Sequence, residues 1–502
     1  MCATALLCAG LMRPASLEAQ GAPGSGAAPA GARAPRAQPS FSWRTRAESW
    51  RWFDAPDADA RYAFVGTLVR AGIAGTAAPR VRWMLEGAVP ALLGLPGDAI
   101  GGAPRGQLGF GAAYFAANGR EQHVVRAFVK QAWMRVGHAP VRGGHAARLG
   151  RFEWSEGTEL VPANATLATL KRDRVTQRLV GPFSWTHVGR ALDGVHYTYD
   201  RGARPGRGPY NVTVVAALPT EGAFRASAWE PLRTPVAYAA YTRGFGGAGR
   251  GAASDLRLFA LHYEDRRDPA RAVRVDNRPA PARLADRERI RLTTLGAHLL
   301  HVVPTAAGPL DLLAWGTVQT GTWGALDHRA SAAALEAGWQ PAGVPWRPWL
   351  RALWYRGSGD RDAADGRHGT FFQVLPTPRV HARFPMHNLM NLEQAGASLV
   401  LRPHARLTFR SDAQALRLAV PADLWYAGGG AFERGSFGYA GRPGGGGRRL
   451  ASLADLSADV RLTRRVGVNG YVARAGARDV ARAVYPGTGP AYFGYVELDV
   501  RY

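Results

Sequence analysis

The chain has 502 residues, of which 46% are hydrophobic, and its mean hydropathy is −0.18. A soluble chain of this length would divide into several domains, whereas a membrane barrel can be one domain this large because its apolar side chains face lipid and its polar ones face a wet lumen. The net charge of +25 favours a polyanionic partner, such as an acidic polysaccharide or lipopolysaccharide phosphate. Nucleic acid ranks last among such partners, since the chain has no helix-turn-helix, zinc-finger or RNP motif.

The first 40 residues differ in composition from the rest of the chain. Residues 4–12 form an apolar run that is too short to span a bilayer, and small residues follow it, which predicts a signal peptide over 1–20. Residues 21–40 are of low complexity, and we expect them to form a disordered periplasmic segment. Cys2 and Cys8 are the two cysteines, so a mature chain without the signal peptide could form neither a disulfide nor a thiolate metal site.

From Phe41 to Tyr502 the chain has a uniform strand-like pattern. Segments of about ten residues, rich in β-branched and aromatic types, alternate with runs of Gly, Pro, Asp and Arg. Within segments such as 80–86 and 209–217, apolar and polar residues alternate with the period of a strand. The pattern predicts roughly 18 to 20 strands, and an even number is expected for an outer-membrane barrel.

A soluble β-sandwich would also alternate in polarity, but three features favour a barrel. The strands continue without a domain break, and the last segment alternates in polarity up to the terminal Tyr502, as strands recognised by the barrel-assembly machinery do. Aromatic residues that could form interfacial girdles cluster at predicted strand ends. These are Trp50, Trp52, Trp346, Trp349, Trp354, Tyr355, Trp425 and Tyr426. We therefore expect an all-β, transmembrane antiparallel barrel over 41–502, located in the bacterial outer membrane.

Several stretches interrupt the strand pattern and resemble those of the alginate-export family of outer-membrane proteins. They are RLGRFEWSEG at 148–157, QRLVGPFSWTHVGRALDG at 177–194, LPTPRVHARFPMHNLMN at 375–391 and DLWYAGGG at 423–430, together with the final strand. The resemblance covers most of the chain from Phe41 to Tyr502. It implies an 18-stranded monomeric barrel with an arginine-rich lumen, loops that restrict the pore, and secretion of an acidic exopolysaccharide.

The 177–194 stretch contains the first candidate pore residues. Arg178, Arg190 and Asp193 flank Gly-Pro and Val-Gly turns. A basic constriction that holds sugar carboxylates would explain them, because the planar guanidinium donates two parallel hydrogen bonds to one carboxylate. A salt-bridge network that merely braces the barrel wall would also explain them, and the sequence leaves both interpretations open.

Further candidates come from alternation within predicted strands. Arg151 and Glu153 alternate with Phe152 and Trp154, so we expect both charged side chains to point into the lumen. The same rule assigns charges of both signs to the lumen, and interspersed acids would let a polyanion pass in steps where a purely cationic tube would trap it. The remaining candidates of this kind are Arg406, Arg410, Asp459, Arg461 and Arg501.

The 375–391 stretch is too irregular for a strand and contains Arg379 and Arg383. A long loop that enters the pore and an extracellular loop packed on lipopolysaccharide both fit this sequence. We keep both alternatives at this point.

No enzyme motif is convincing. The chain has neither a GxSxG nucleophile elbow nor an HExxH zinc motif, and its histidines lack ligand spacing, so we expect no enzyme and no cofactor. The sequence therefore predicts passive export of a negatively charged polysaccharide through a positively biased pore. The alternatives are an uptake porin for small acidic solutes and an outer-membrane lipase or deacylase.

Overall fold

The computed structural model describes residues 37–138, 143–203, 208–227, 229–246, 251–487 and 489–502. The predicted signal peptide over 1–20 and residues 21–36 of the predicted disordered segment lie outside the described residues. Residues 37–40, which we expected to be disordered, instead begin the first strand. They do so because antiparallel pairing continues past Phe41 and Ala71 to Ala37 and Gly75.

Eighteen long strands form the wall of the molecule. They are β1 (Ala37–Arg51), β2 (Arg61–Ala78), β3 (Val81–Leu93), β4 (Phe128–Gly137), β5 (Gly144–Phe152), β6 (Leu192–Arg201), β7 (Tyr210–Pro219), β8 (Val236–Gly246), β9 (Ala253–Glu264), β10 (Ile290–Val303), β11 (Leu310–Trp323), β12 (Leu326–Trp339), β13 (Trp349–Gly357), β14 (Leu392–His404), β15 (Leu407–Leu418), β16 (Arg449–Arg461), β17 (Val466–Ala477) and β18 (Ala491–Arg501).

The wall is a closed antiparallel barrel. Each strand pairs with the next along the chain, and β1 pairs with β18 from Ser42 opposite Arg501 to Arg51 opposite Tyr492. Closure leaves no unpaired sheet edge, which a strand-built membrane protein requires because lipid cannot satisfy backbone polar groups. The predicted fold class and the even strand number are confirmed.

The other elements lie in the connections between wall strands. The short strands are Ile100–Gly101, Gly106–Gln107, His123–Val125, Arg367–His368, Trp425–Gly428 and Tyr439–Arg442. The helices are Phe110–Ala117, Ala165–Leu170, Ala280–Ala285 and Asp479–Val484, with a π-helix at Lys171–Val175 and a 3₁₀ turn at Pro378–Val380. In the described ranges no helix combines the length and the apolar character needed to cross a membrane.

The two faces of the wall differ as the alternation predicts. Apolar side chains such as Leu258, Leu295 and Leu335 are more than half exposed on the outer face. Their strand neighbours Arg257 and Glu336 point inward and are buried. Apolar side chains on the outside and charged side chains on the inside are the reverse of a soluble protein and are typical of a barrel in lipid.

The aromatic residues predicted to form girdles are mostly inside the barrel, which corrects that expectation. Trp50 and Trp349, for example, are on lumen-facing positions and are almost fully buried. They face inward because folded connections fill part of the lumen and require apolar contacts. Of the predicted set, Trp346 is exposed, and Trp354 is on the outer face of its strand, opposite the exposed Leu335. The other exposed aromatics of the outer surface include Phe41, Trp43, Phe245, Trp339, Tyr492 and Tyr502.

The two ends of the barrel carry different connections. At the short-turn end the connections are 79–80, 138–143, 202–209, 247–252, 304–309, 340–348, 405–406 and 462–465. At the long-loop end they are 52–60, 94–127, 153–191, 220–235, 265–289, 324–325, 358–391, 419–448 and 478–490. Outer-membrane barrels share this asymmetry of short turns and long loops.

Two of the long connections fold back into the lumen, and we name them the first inner loop (153–191) and the second inner loop (358–391). The first reaches close to the short-turn end, where Thr166 accepts a hydrogen bond from Gln340 (3.0 Å). The second runs beside it, with a parallel bridge between Val180 and Leu375. The 375–391 stretch therefore lies within the barrel, as the pore-loop alternative predicts, and not on lipopolysaccharide.

Candidate functional site

Cationic side chains of the wall hold the first inner loop by its backbone. Arg44 donates to the carbonyl oxygen of Ser184 (2.8 Å), Arg46 to that of Trp185 (2.9 Å), and Lys130 to that of Val188 (2.9 Å). Carboxylates neutralise two of these cations, since Arg46 also contacts Glu497 of the wall (2.5 Å) and Lys130 contacts Glu153 at the start of the loop (3.3 Å). Part of the lumen's positive charge is therefore structural, because charged hydrogen bonds of this kind fix a loop strongly.

A second set of ion pairs holds the far part of this loop near the short-turn end. Lys171 binds Asp255 of β9 (2.9 Å), and Arg174 binds Glu336 of β12 (2.9 Å). The predicted residue Arg178 belongs to this set: it donates to the carbonyl oxygen of Arg174 (2.6 Å) and lies over the ring of Trp315 (4.8 Å). Arg178 thus braces the loop, as the bracing interpretation of 177–194 predicts.

Arg190 differs from Arg178 in having no carboxylate partner in the described ranges, whereas Arg178 lies 3.8 Å from Glu336. One terminal nitrogen donates to the carbonyl oxygen of Pro376 (2.8 Å), and the guanidinium lies over Phe183 (5.1 Å), but Nε is buried without a partner. No carboxylate in the described part of the chain forms an ion pair with it. Burial lowers the pKa of Arg190 to about 9, so the group stays protonated at neutral pH as a cation without a counter-charge.

The second inner loop brings the predicted residue Arg383 against strands β15 and β16 of the wall. Arg383 contacts Asp455 (3.1 Å) and Asp412 (3.6 Å), and Arg410 of β15 contacts Asp412 as well (3.1 Å). These carboxylates raise the pKa of Arg383. The group is a mixed-sign cluster on the lumen wall, which agrees with the expected position of Arg383 and Arg410.

Arg379 sits in an aromatic cage. Its guanidinium lies 4.2 Å from the ring centre of Tyr471 and 4.7 Å from that of Trp185, and it donates to the hydroxyl of Tyr495 (3.1 Å). Nη1 is buried and has no hydrogen-bond partner. Stacking on ring faces stabilises the cation while leaving an N–H available to a ligand.

A cavity of about 270 Å³ opens beside Arg379 among the long connections. Its second arginine is Arg442, which donates to the carbonyl oxygen of Arg105 (2.6 Å) and lies over Trp425 (4.8 Å), while its Nε and Nη1 have no partner. Glu433 is the one carboxylate that lines the cavity. The aromatic part of the lining consists of Trp52, Phe110, Phe183, Trp185, Phe224 and Tyr439.

Arg442 was missed by the sequence analysis. It lies in a Gly-rich connection outside the predicted strands, so no alternation rule applied to it. The one available signal was the run Gly-Arg-Pro-Gly, which indicates a turn and not a cation turned toward a cavity.

Two of the predicted lumen residues lie on the outer face instead. Arg151 is two residues from the exposed Leu149 and therefore on the same outer face of β5. Its partners across the sheet are Ala132 and Asp193, so Asp193 shares that face. Arg151 and Asp193 form a bidentate ion pair (2.6 and 2.7 Å) near the long-loop end. The rule failed because Phe152, which we assigned to lipid, is fully buried inside the partly filled lumen. Glu153 follows the strand and does point inward.

The remaining predicted residues are near the short-turn end. Arg406 is exposed in the turn after β14, and Arg461 donates to the carbonyl oxygen of Ala405 (2.8 Å). Arg501 contacts Asp499 (2.6 Å) at the last lumen-facing position of β18. Asp459 lies deeper in the lumen and accepts a hydrogen bond from Asn469 (2.5 Å). None of these four lines the cavity beside Arg379.

Comparison with solved structures identifies the fold. The chain is similar to Acinetobacter baumannii OccAB2 (8% identity, TM-score 0.56, 92% of this chain and 98% of that one) and to Pseudomonas aeruginosa OccK9 (12%, 0.53, 93% and 98%). It is also similar to a BenF-like porin from Pseudomonas fluorescens Pf-5 (8%, 0.54, 93% and 98%). At such low identity these likenesses show the outer-membrane porin fold alone.

Comparison with protein families is more specific. No curated protein sequence matches the chain. The sequence profile of a family described as alginate export matches residues 110–474, which include both inner loops and the cavity arginines. The resemblance inferred from the sequence motifs is confirmed. The chain belongs to the alginate export family.

Proposed function

We propose that this protein is an outer-membrane channel for passive export of an anionic polysaccharide. The observation that carries the proposal is the cavity beside Arg379 and Arg442, whose guanidinium groups retain N–H donors without protein acceptors. A buried donor without a partner is costly, so such groups are suited to a ligand that supplies acceptors. The carboxylate of a uronate residue would supply them in a geometry that guanidinium favours.

The rest of the site fits a sugar ring. Phe224 and Tyr439 line the cavity and could contact the apolar face of a pyranose. The volume of about 270 Å³ is of the size of one or two sugar residues rather than a long oligomer. The polymer would pass residue by residue, held by cations and released by nearby acids such as Glu433. Membership of the alginate export family supports this substrate class.

We also propose how the channel is oriented in the outer membrane. The short-turn end would face the periplasm and the long loops the exterior, where lipopolysaccharide surrounds the barrel, as in other outer-membrane barrels. The chain would act as a monomer, inserted by the barrel-assembly machinery through β18. We propose no enzymatic step, and polymer synthesis elsewhere would drive transport.

Uptake of small acidic solutes is the second candidate, because a cavity of this size would also accept a single small carboxylate. Deletion of the gene separates the two candidates. Loss of the exopolysaccharide layer, restored by the wild-type gene, is expected for export. Loss of growth on a small organic acid with an intact layer would contradict export and support uptake. A lipase or deacylase, the remaining alternative, would require hydrolysis of detergent-solubilised lipid by the purified protein.

A further inference from the structure

The short-turn end has an unusual charge composition. Its turns contain no aspartate, glutamate or lysine, and every charged residue in them except histidine is arginine. In the described ranges these arginines are Arg80, Arg347, Arg406, Arg464 and Arg465. At the long-loop end, by contrast, every connection except the two-residue turn 324–325 contains at least one Asp or Glu.

The turn arginines in the described ranges are exposed and uncompensated. Arg80, Arg347, Arg406, Arg464 and Arg465 are all exposed, and within those ranges none has a carboxylate within 4.0 Å. The contacts that these side chains make do not neutralise their charge. Arg406 donates to a backbone carbonyl (3.4 Å), and Arg465 lies over the ring of the terminal tyrosine (4.5 Å).

Several exposed or partly exposed arginines at the opposite end have acidic partners. Arg105 pairs with Asp57 (2.7 Å), Arg126 with Glu121 (3.2 Å), and Arg449 with Asp479 (3.0 Å). Others, such as Arg361 and Arg367, lie within two residues of an aspartate in sequence. In the described ranges the short-turn end therefore carries exposed arginine charge that no nearby carboxylate neutralises.

We propose that the short-turn rim is a capture surface that concentrates the anionic polysaccharide at the lumen entrance, a proposal that rests on the export function. In the described ranges the turn arginines lie along the part of the rim that runs from β12 through β18 and β1 to β3. Charge of one sign beside a low-dielectric opening focuses the field there and can raise association rates by roughly 10 to 1,000-fold. These arginines thus guide a polyanion inward.

The position of the charge favours a polymer over anionic lipid headgroups. Lipid would contact only outward-facing side chains, whereas Arg461 and Arg501 carry the charge onto lumen-facing positions of their strands. Among the wall carboxylates near this end, Asp311 and Glu336 are paired with Arg351. Asp200 and Asp459 instead accept hydrogen bonds from Asn211 and Asn469.

The test measures current block by polygalacturonate in planar bilayers. The rim variant carries Arg80→Gln, Arg347→Gln, Arg406→Gln and Arg464→Gln. A matched control removes four exposed arginines at the other end, with Arg120→Gln, Arg287→Gln, Arg361→Gln and Arg367→Gln. Thr463→Cys, modified from one chamber, reports the orientation, and neutral dextran controls for size. We expect faster block from the short-turn side than from the other side in the parent protein.

The rim variant should lower this on-rate by about tenfold at low salt and flatten its dependence on ionic strength, whereas the control variant should not. Equal block from both sides, with no effect of the rim variant, would overturn the capture surface but leave the export proposal standing. Absence of block from either side would contradict export itself. If the rim variant changed only the preference for phosphatidylglycerol over phosphatidylcholine vesicles, the rim would be a lipid-contacting surface, and the capture proposal would be wrong.

Discussion

Individual arginines of the lumen differ in what neutralises them. Arg178 and Arg383 each lie within 4.0 Å of a wall carboxylate, whereas Arg379 and Arg442 rest on aromatic rings and keep free N–H donors. A paired arginine fixes the structure, because removing one partner leaves a buried charge on the other. An arginine held by ring faces can instead exchange partners with a passing anion. Residue type alone therefore does not identify the ligand-binding cations.

Replacement of Arg442 should weaken ligand binding without unfolding the barrel. We expect Arg442→Gln to lower the affinity for digalacturonate, measured by current block, by about tenfold or more, since a hydrogen bond to a charged group contributes about 1.5–3 kcal/mol. Arg449→Gln, which removes an exposed arginine paired with Asp479, is the matched control and should bind normally. Unchanged affinity in Arg442→Gln would show that the cavity does not bind uronate.

At the scale of elements, the inner loops are separate from the wall that encloses them. The wall strands satisfy one another's backbone groups around the closed barrel, while the loops are held by side-chain contacts such as those of Lys130 and Tyr439. The barrel should therefore persist when a loop is changed, and the loops should respond to conditions that leave the wall intact.

Shortening the second inner loop should widen the pore. Replacement of residues 376–388 by a short Gly-Ser linker removes Arg379 and the 3₁₀ turn but no wall strand. We expect a severalfold higher single-channel conductance, with the heat-modifiable electrophoretic shift of a folded barrel retained. An unchanged conductance would indicate that the constriction lies elsewhere in the lumen.

Acidification should loosen the same loop. Burial lowers the pKa of His387 to about 4 and also lowers that of His381, so both are neutral when folded, while the unfolded groups titrate near 6.5. The unfolded state then binds more protons between about pH 6.5 and 4, and stability falls as the pH is lowered through this range. The protection factors of amide hydrogens in 375–391, which correct for the intrinsic pH dependence of exchange, should be lower at pH 4.5 than at pH 7. The variant His387→Gln should reduce this difference, and an equal difference in the variant would contradict the assignment.

The whole molecule combines a net charge of +25 with a polarised distribution of that charge. The long-loop end mixes both signs, and the lumen holds paired and unpaired arginines. In the turns of the short-turn end, arginine is the only charged residue type apart from histidine. Such a field favours anions along the whole path, in addition to any single binding site.

Conductance should accordingly be anion-selective. The reversal potential in a salt gradient should favour chloride over potassium in the parent protein, and Arg190→Glu or Arg461→Glu should shift it toward zero. Arg190 should have the larger effect because it is buried without a counter-charge, whereas Arg461 is at the rim. Cation preference in the parent protein would refute the proposed lumen.

The sequence by itself determined the local and periodic features of this protein. Alternation with a period of two predicted the closed barrel, and the irregular 375–391 stretch was correctly separated from the strands. Alternation also predicted which strand residues share a face, because that depends only on the backbone. It misassigned Arg151, since which face is the lumen side depends on what fills the lumen.

Only the tertiary structure decided which charges are satisfied. Arg46 meets Glu497, which is 451 residues away in the chain, and Arg442 joins Arg379 at one cavity through two different loops. Such pairs form when barrel closure and loop insertion bring distant segments together, and no short-range pattern encodes them. The physical reason is that a charge is neutralised by neighbours in space, whereas a strand's period is set by neighbours in sequence.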